Sequence, residues 1–171
     1  MNLVISGHIA ATWYMVGLIW FVQLVHYPMM DRAADFIEYE RVHCQKTTWA
    51  VGPAMLIEIA TLVVWGILQP ELLVDPLYIG LASLLGIIWV STACLQVPAH
   101  HRLSQGYNAA THRWLVNSNW IRTFAWSLRG VGVLGPAGGG LRAVALGHAP
   151  HWRGDAVQGG RGRRHAAHQG G

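Results

Sequence analysis

The chain has 171 residues, of which 53% are hydrophobic and only 12% are charged, and its mean hydropathy is +0.31. Soluble domains carry about twice that share of charged residues, so the composition excludes an ordinary soluble protein and predicts a membrane protein. The formal net charge of +4 does not indicate nucleic-acid binding, because most of the arginines lie in predicted loops and in a terminal tail instead of along an ordered face.

The first apolar segment covers residues 9–29 and contains no charged residue. It reaches the roughly 20 residues that a helix needs to cross a hydrocarbon core of about 30 Å. The residues before it lack the Lys or Arg of a cleaved signal peptide, so we expect this helix to be retained. Gln23 and His26 share one face near its end, and Pro28 is predicted to end the helix.

The next stretch mixes charged and apolar residues over 31–46, which predicts an amphipathic connecting helix at the membrane surface. His43 belongs to this connection. A second apolar segment follows over residues 48–68 and is interrupted by a single charge, Glu58.

The third apolar segment, 77–98, is uncharged and bounded by prolines, with Gln96 near its end and His100 just beyond it. The fourth segment, 115–134, is the weakest of the four, because its apolar part is short and interrupted by a charge. It contains three polar residues that enter the prediction of a site: Asn119, Arg122 and Arg129.

Residues 135–171 are rich in Gly and Arg and have no apolar period, so we expect a disordered C-terminal tail. Their composition is that of GC-rich codons. A further hypothesis is therefore that this tail is aberrant, an out-of-frame end that replaces the rest of the fourth helix.

These segments predict an all-α fold, with an integral membrane up-down four-helix bundle formed by residues 1–134 within a lipid bilayer. The first and third loops hold the loop Lys and Arg residues, which predicts that they are cytoplasmic and that the N-terminus lies outside. Self-association into a homo-oligomer stays open. Close helix contacts are predicted at five glycines: Gly17, Gly52, Gly66, Gly80 and Gly86.

This topology places the polar residues of the span ends in one layer at the cytoplasmic end of the bundle. His26, His43 and His100 are predicted to bind a transition metal or haem, or to act as acid–base groups. Gln23, Gln96 and Asn119 are predicted cofactor-binding residues, and Arg122 is a predicted catalytic residue that clamps an anion or a substrate.

Two alternatives to a cofactor site stay open for this layer. It could bind a quinone-like or polycyclic substrate between apolar walls formed by four tryptophans: Trp20, Trp49, Trp114 and Trp120. The same His, Trp and Tyr side chains could instead be simple anchors at the level of the lipid headgroups.

Glu58 and Arg129 form a second, deeper feature. Each lies about 15 Å from the cytoplasmic edge at 1.5 Å per helical residue, close to the membrane midplane. A lone charge there costs about 2.5–3.5 kcal/mol, so the two are predicted to face inward and pair. Two interpretations of this pair stay open. It is either functional, as a proton relay or a substrate anchor, or a structural salt bridge that fixes the register of the helices.

Two short motifs carry a family resemblance: Val97-Pro98-Ala99-His100-His101-Arg102-Leu103, and Trp114-Leu115-Val116-Asn117-Ser118-Asn119-Trp120-Ile121-Arg122-Thr123. They are similar to the corresponding region of small four-helix bacterial membrane proteins of the anthrone oxygenase-like group. In that group a Val-Pro segment ends the third helix and a Trp followed by an Arg-Thr step opens the fourth. This chain differs in having His100 where Asn is commoner.

The resemblance implies an oxygenase-like enzyme that acts on a hydrophobic aromatic substrate in the bacterial inner (cytoplasmic) membrane. The leading hypothesis is therefore a membrane-bound oxidoreductase or oxygenase. The alternative is a non-enzymatic membrane protein that acts as a scaffold or binds a partner.

Overall fold

The computed structural model describes the backbone of residues 2–145 and the side chains of residues 3–135. This part of the chain is helical and contains no strand, which confirms the predicted all-α class for it. Its α-helices are α1 (Asn2–Phe21), α2 (Tyr27–Met29), α3 (Phe36–Leu68), α4 (Pro76–Ser91), α5 (Val97–Leu103) and α6 (Ala109–Ala145). Two π-helical turns, Val22–His26 and Thr92–Gln96, and two 3-10 turns, Met30–Arg32 and Pro70–Val74, connect them.

Three helical segments of the described chain are long and apolar enough to cross a membrane: Leu3–Arg32, Phe36–Leu68 and Pro76–Leu103. Many of their large apolar side chains point outward and are more than half exposed, among them Leu24, Leu56, Val63, Ile67 and Val90. Apolar side chains on the outside of long helices match a lipid environment.

The stretch predicted as a connecting helix and the predicted second span form one continuous helix, α3. Asp35 caps this helix, since its side chain accepts a hydrogen bond from the backbone N–H of Glu38 at 3.1 Å. His43 and Glu58 therefore lie on the same rigid element at different depths.

Pro28 and Pro98 do not end their helices, contrary to the prediction. Proline lacks an N–H and clashes with the carbonyl four residues before it. A π-helical turn lies just before each proline, and the N–H of Tyr27 and of Val97 reaches back five residues, to the carbonyls of Val22 and Thr92. The wider turn lets both segments continue, the first to Arg32 and the second to Leu103.

The last helix, α6, begins earlier and ends later than the predicted fourth span. Asn108 caps it by accepting hydrogen bonds from the N–H groups of Ala110 and Thr111 at 3.0 and 2.9 Å. The helix then continues past Leu134, the predicted end of the span, to Ala145. The rest of the predicted disordered tail, residues 146–171, lies outside the described residues.

The long helices pack with alternating directions. α1 contacts both α3 and α6, and α6 contacts α4. His8, near the start of α1, bonds to Thr61 near the end of α3, whereas His26 lies beside Tyr39 near the start of α3. The central core between them is formed by Met15, Ile19, Ala54, Met55, Ile88, Ala125 and Trp126. This arrangement brings the end of the first segment, the start of α3, α5 and the start of α6 to one end of the structure.

The predicted glycine contacts are mostly wrong. A Cβ built at Gly17, Gly52, Gly80 or Gly86 would meet no atom within 4 Å, so these glycines are not close-contact points. Gly66 is one, because a Cβ added there would overlap the Tyr78 hydroxyl. Gly130 and Gly132, which the prediction omitted, are also close, at 3.0 Å from Val16 and 2.8 Å from Leu81 for an added Cβ.

We expect Gly66→Ala to lower the free energy of unfolding by about 1–3 kcal/mol, because its methyl group would displace Tyr78. The Tyr78 hydroxyl donates to the Leu62 carbonyl at 2.9 Å, so that hydrogen bond would be strained as well. Gly80→Ala is the matched control and should stabilise α4 by about 0.5–1 kcal/mol through helix propensity. Thermal unfolding of the detergent-purified variants, followed by circular dichroism, measures both; equal shifts in Tm would contradict the packing argument.

Candidate functional site

The three histidines predicted to form a site do lie together. His26 comes from the π-helical turn at the end of the first segment, His43 from α3 and His100 from α5. The imidazole ring centres of His26 and His43 are 4.3 Å apart, and those of His43 and His100 are 5.2 Å apart. The antiparallel course of the helices thus brings histidines from three segments to one end of the structure.

A fourth member, Glu40, was missed by the sequence analysis. It precedes His43 by three residues on α3, so both side chains lie on the same helix face. Its side chain is fully buried, and Oε1 lies 2.5 Å from Nδ1 of His100. The signal that could have found it is the Glu-x-x-His spacing, which places a carboxylate beside an imidazole.

The side chains whose ligand atoms converge differ from the predicted set of three histidines. Ligand atoms of Glu40, His43 and His100 all lie within 4.8 Å of one another, and His26 does not belong to this group. The His26 ring is instead stacked on His43, and its Nδ1 lies 3.4 Å from the hydroxyl of Tyr39.

Tyr27 and Arg122 continue the polar arrangement from His100 into the protein interior. The Tyr27 hydroxyl lies 3.1 Å from Nε2 of His100, and Nη2 of Arg122 donates to the same hydroxyl at 3.4 Å. Arg122 also donates to the hydroxyl of Thr92 at 3.3 Å. We call Tyr27, Glu40, His43, His100 and Arg122 the polar cluster. Its members include both a carboxylate and a guanidinium, with imidazoles and a phenol between them.

The three amide residues predicted to bind a cofactor, Gln23, Gln96 and Asn119, make their hydrogen bonds to groups outside the polar cluster or to Arg122. Asn119 accepts two hydrogen bonds from Arg122, at 2.9 and 2.5 Å, and donates to Gln23 at 2.7 Å. Gln23 and Asn119 are buried and line no part of the cavity, so they position Arg122. Gln96 does line the cavity, while its side chain bonds to Ser91 and Ser118.

A cavity of about 650 Å³ joins the polar cluster to the apolar core. His43, His100, Tyr27 and Arg122 line its polar end. The rest of its wall is mostly apolar and includes Met15, Leu18, Ile19, Val22, Val51, Met55, Leu56, Trp89 and Trp126. The cavity therefore combines a polar end with a large apolar body.

The tryptophans that line this cavity are not the predicted ones. Trp89 and Trp126 form part of its wall, whereas none of the four predicted tryptophans lines it. Trp20 packs edge-on against Trp120 at a centroid distance of 5.8 Å. Trp49 is 75% exposed and Trp114 is 44% exposed, as expected for side chains at a lipid-facing surface.

The deeper charges, Glu58 and Arg129, also lie together. Nη2 of Arg129 is 3.2 Å from Oε1 of Glu58, and both side chains are fully buried. Thr12 and Trp126 donate to the Glu58 carboxylate at 2.8 and 2.9 Å. His8 lies 3.2 Å from Arg129, so this second polar group is far along the bundle from the histidines.

Known proteins give no assignment for this arrangement. No family model, no curated protein and no solved structure matches the chain. The resemblance to the anthrone oxygenase-like group thus stays a prediction from short motifs. The chemistry of the cavity is inferred from the side chains around it.

We expect Glu58→Leu to lower the free energy of unfolding by about 3–5 kcal/mol, because Arg129 would be left as an unpaired buried charge. Arg129→Met should be destabilising for the same reason. The double variant should lose much less free energy of unfolding than the two single variants lose together, since it removes both charges. Unfolding of the four proteins in detergent measures this coupling.

The matched control is the exposed pair of Glu38 and Arg41 on α3, whose charged atoms are 2.6 Å apart. Water and salt screen this pair, so the same double-variant cycle should find little coupling there. Additive effects at Glu58 and Arg129 would show that the two charges do not stabilise each other.

Proposed function

We propose that this chain is an integral membrane oxidoreductase of the oxygenase type, which acts on a hydrophobic aromatic substrate held in the cavity. The observation that carries the proposal is the union of a large apolar cavity with the polar cluster at one end. Ligand sites of about 300–1,000 Å³ with apolar walls and a few converging polar groups are typical of small-molecule binding.

The proposed topology has four crossings, with α6 as the fourth. Its polar side chains Asn119, Arg122 and Arg129 are all buried, and its exposed face is apolar from residue 121 to residue 134. That outward face carries Ile121, Phe124, Leu128 and Val131. The arginines and lysine of the first and third loops favour the cytoplasm for the end with the polar cluster, and hence an outside N-terminus. The proposed location is the bacterial inner membrane, which the motif resemblance supports.

The walls of the cavity favour an aromatic substrate that is dissolved in the bilayer. Trp89 and Trp126 offer aromatic faces and edges against which a flat ring system can pack. Leu56 and Val97 border the cavity, and each is 58% exposed on the outside of the bundle. A substrate could thus reach the cavity from the lipid side, between α3 and α5.

The polar cluster supplies the groups for proton removal from an aromatic ketone such as anthrone, either at the acidic ring carbon opposite the carbonyl or at the hydroxyl of its enol form. A carboxylate bonded to one nitrogen of an imidazole fixes the orientation and the tautomer of the ring, so that its other nitrogen can accept a proton. Glu40 holds His100 in this way at 2.5 Å. Arg122 and the Tyr27 hydroxyl then stabilise the negative charge on the substrate oxygen, and such an electron-rich anion is the form that an oxidant attacks most readily.

Substrate binding can be tested with anthrone, a flat tricyclic ketone, by quenching of tryptophan fluorescence. Gly52 lines the cavity and an added side chain meets no atom within 4 Å, so Gly52→Phe should fill the cavity without disturbing the helix. We expect anthrone affinity to fall at least about tenfold, equivalent to 1.4 kcal/mol. Gly80→Phe, equally open but outside the cavity, should bind as the original chain does. Equal affinities for the two variants would place the ligand elsewhere.

Turnover is tested by the dioxygen consumed in the presence of anthrone. Glu40→Gln removes the carboxylate that orients His100, so we expect the rate to fall by about 10²–10⁴ if His100 accepts the proton. Glu38→Gln, two residues away and exposed, is the matched control and should keep the original rate. Anthrone binding without any dioxygen uptake would contradict the oxygenase proposal and would indicate a carrier or a partner-binding protein.

A further inference from the structure

The residues that line the polar end of the cavity also have the composition of a metal site. Glu40 and His43 lie one helical turn apart on α3, and His100 faces them from α5. One ligand atom from each lies within 4.8 Å of the other two. We infer that Glu40, His43 and His100 bind one divalent first-row transition-metal ion.

The buried carboxylate supplies an independent reason. Glu40 has no exposed surface, and within the described residues its Oε2 has no hydrogen-bond partner. A buried carboxylate oxygen without a partner is costly, because it has lost its water and gained nothing in return. Within residues 3–135, the side chains that bond to the Glu40 carboxylate are those of His100 and Cys44, and both bond to Oε1. A divalent cation bound by this carboxylate would neutralise its charge, and coordination through both oxygens would also give Oε2 a partner.

The distances suit an ion in place of a proton. Oε1 of Glu40 and Nδ1 of His100 are 2.5 Å apart, a hydrogen-bond distance that requires one proton between the two atoms. Neighbouring ligands around an ion with bonds of about 2.0–2.2 Å lie roughly 3 Å apart, so a small adjustment of the two side chains opens the position. Binding would release that proton, as expected for a metal that competes with protons for its ligands.

Hydrogen bonds from neighbouring residues already orient both imidazoles. The Tyr27 hydroxyl lies 3.1 Å from Nε2 of His100, on the side of the ring away from Glu40. The Thr47 hydroxyl lies closer to Nδ1 of His43, at 3.1 Å, than to its Nε2, at 3.5 Å. Metal-bound histidines usually carry such a partner on the second nitrogen, where it fixes the ring and the tautomer.

The ligand chemistry narrows the choice of ion. Two imidazole nitrogens and one carboxylate oxygen on one side of an ion leave coordination positions open, an arrangement typical of non-haem iron(II) and also suitable for zinc(II), cobalt(II) or manganese(II). His43 and His100 both line the cavity, so the open positions would face the substrate. The ion would act there as a Lewis acid that stabilises a substrate anion beside Arg122. The role of the ion as a Lewis acid towards the substrate rests on the proposed function, whereas the binding of the metal ion by Glu40, His43 and His100 does not.

Metal binding is tested on the whole chain, purified in detergent, stripped with a chelator and titrated with cobalt(II) by calorimetry and visible absorption. We expect one equivalent of cobalt(II) to bind and to give visible ligand-field bands typical of coordination by nitrogen and oxygen ligands. Glu40→Gln, His43→Gln and His100→Gln should each weaken binding by about 100-fold or more, because loss of an outer-shell partner alone costs 10–100-fold. Circular dichroism and size exclusion establish that each variant is folded, and three separate variants keep the test open if one of them is not.

His26→Gln decides between the two candidate ligand sets. The His26 ring stacks on His43, but His26 is not one of the residues whose ligand atoms converge. We therefore expect the His26→Gln variant to bind one cobalt(II) ion. Loss of the metal in His26→Gln with retention in Glu40→Gln would overturn the inference in favour of the three-histidine set. Binding of no cobalt(II), zinc(II) or iron(II) by the original chain would overturn it altogether. Anthrone binding by the metal-free protein is measured separately, so failure of the metal site and failure of the proposed function are distinguishable.

Discussion

The ion pair between Glu58 and Arg129 is the interaction on which the packing of the long helices depends. Both side chains are fully buried and 3.2 Å apart, and every long helix contributes to their surroundings. Thr12 of α1 donates to the carboxylate, His8 of α1 lies beside the guanidinium, and the Leu81 carbonyl of α4 accepts from Arg129. A charge in hydrocarbon is costly unless it is paired and hydrogen-bonded, so sliding or rotating one helix would leave a charge or a donor unpaired. The network therefore fixes the depth at which the helices meet, and with it the alignment of their far ends.

The two π-helical turns complete that alignment. Helical backbone within a membrane must satisfy its own hydrogen bonds, and a proline removes one of them. The turns before Pro28 and Pro98 absorb this loss, so that the helical segments continue instead of breaking. Each wider turn also shifts the faces of the residues that follow. His26 ends the first turn and His100 follows the second by four residues, so the same local adjustment positions both histidines.

Sequence patterns predicted the location of the polar residues along the chain, but not the rotation of the helices around their axes. The apolar segments of α1 and α4 are hydrophobic on all sides, so periodicity does not distinguish an inward from an outward face. This is why the walls were assigned to Trp20, Trp49, Trp114 and Trp120, while Trp89 and Trp126 line the cavity. Histidines at span ends were easier to place, since the antiparallel order of the spans alone brings them to one end. Glu40 was taken for one of several surface charges, yet residues two apart on a helix point about 200° apart, so Glu38 is exposed and Glu40 is buried.

The two polar groups of the structure are connected through one side chain. Trp126 donates its indole N–H to Oε2 of Glu58 at 2.9 Å, and the same fully buried ring forms part of the cavity wall. An indole held by a hydrogen bond at one edge has little freedom to rotate, so the ion pair also fixes the shape of the space beside the polar cluster. The structural and functional interpretations of Glu58 and Arg129 are therefore not exclusive. The charge pair that stabilises the helix packing also positions Trp126, the aromatic side chain against which a flat ligand would pack. Loss of the pair would therefore change the cavity through Trp126, although neither charged residue contacts the ligand.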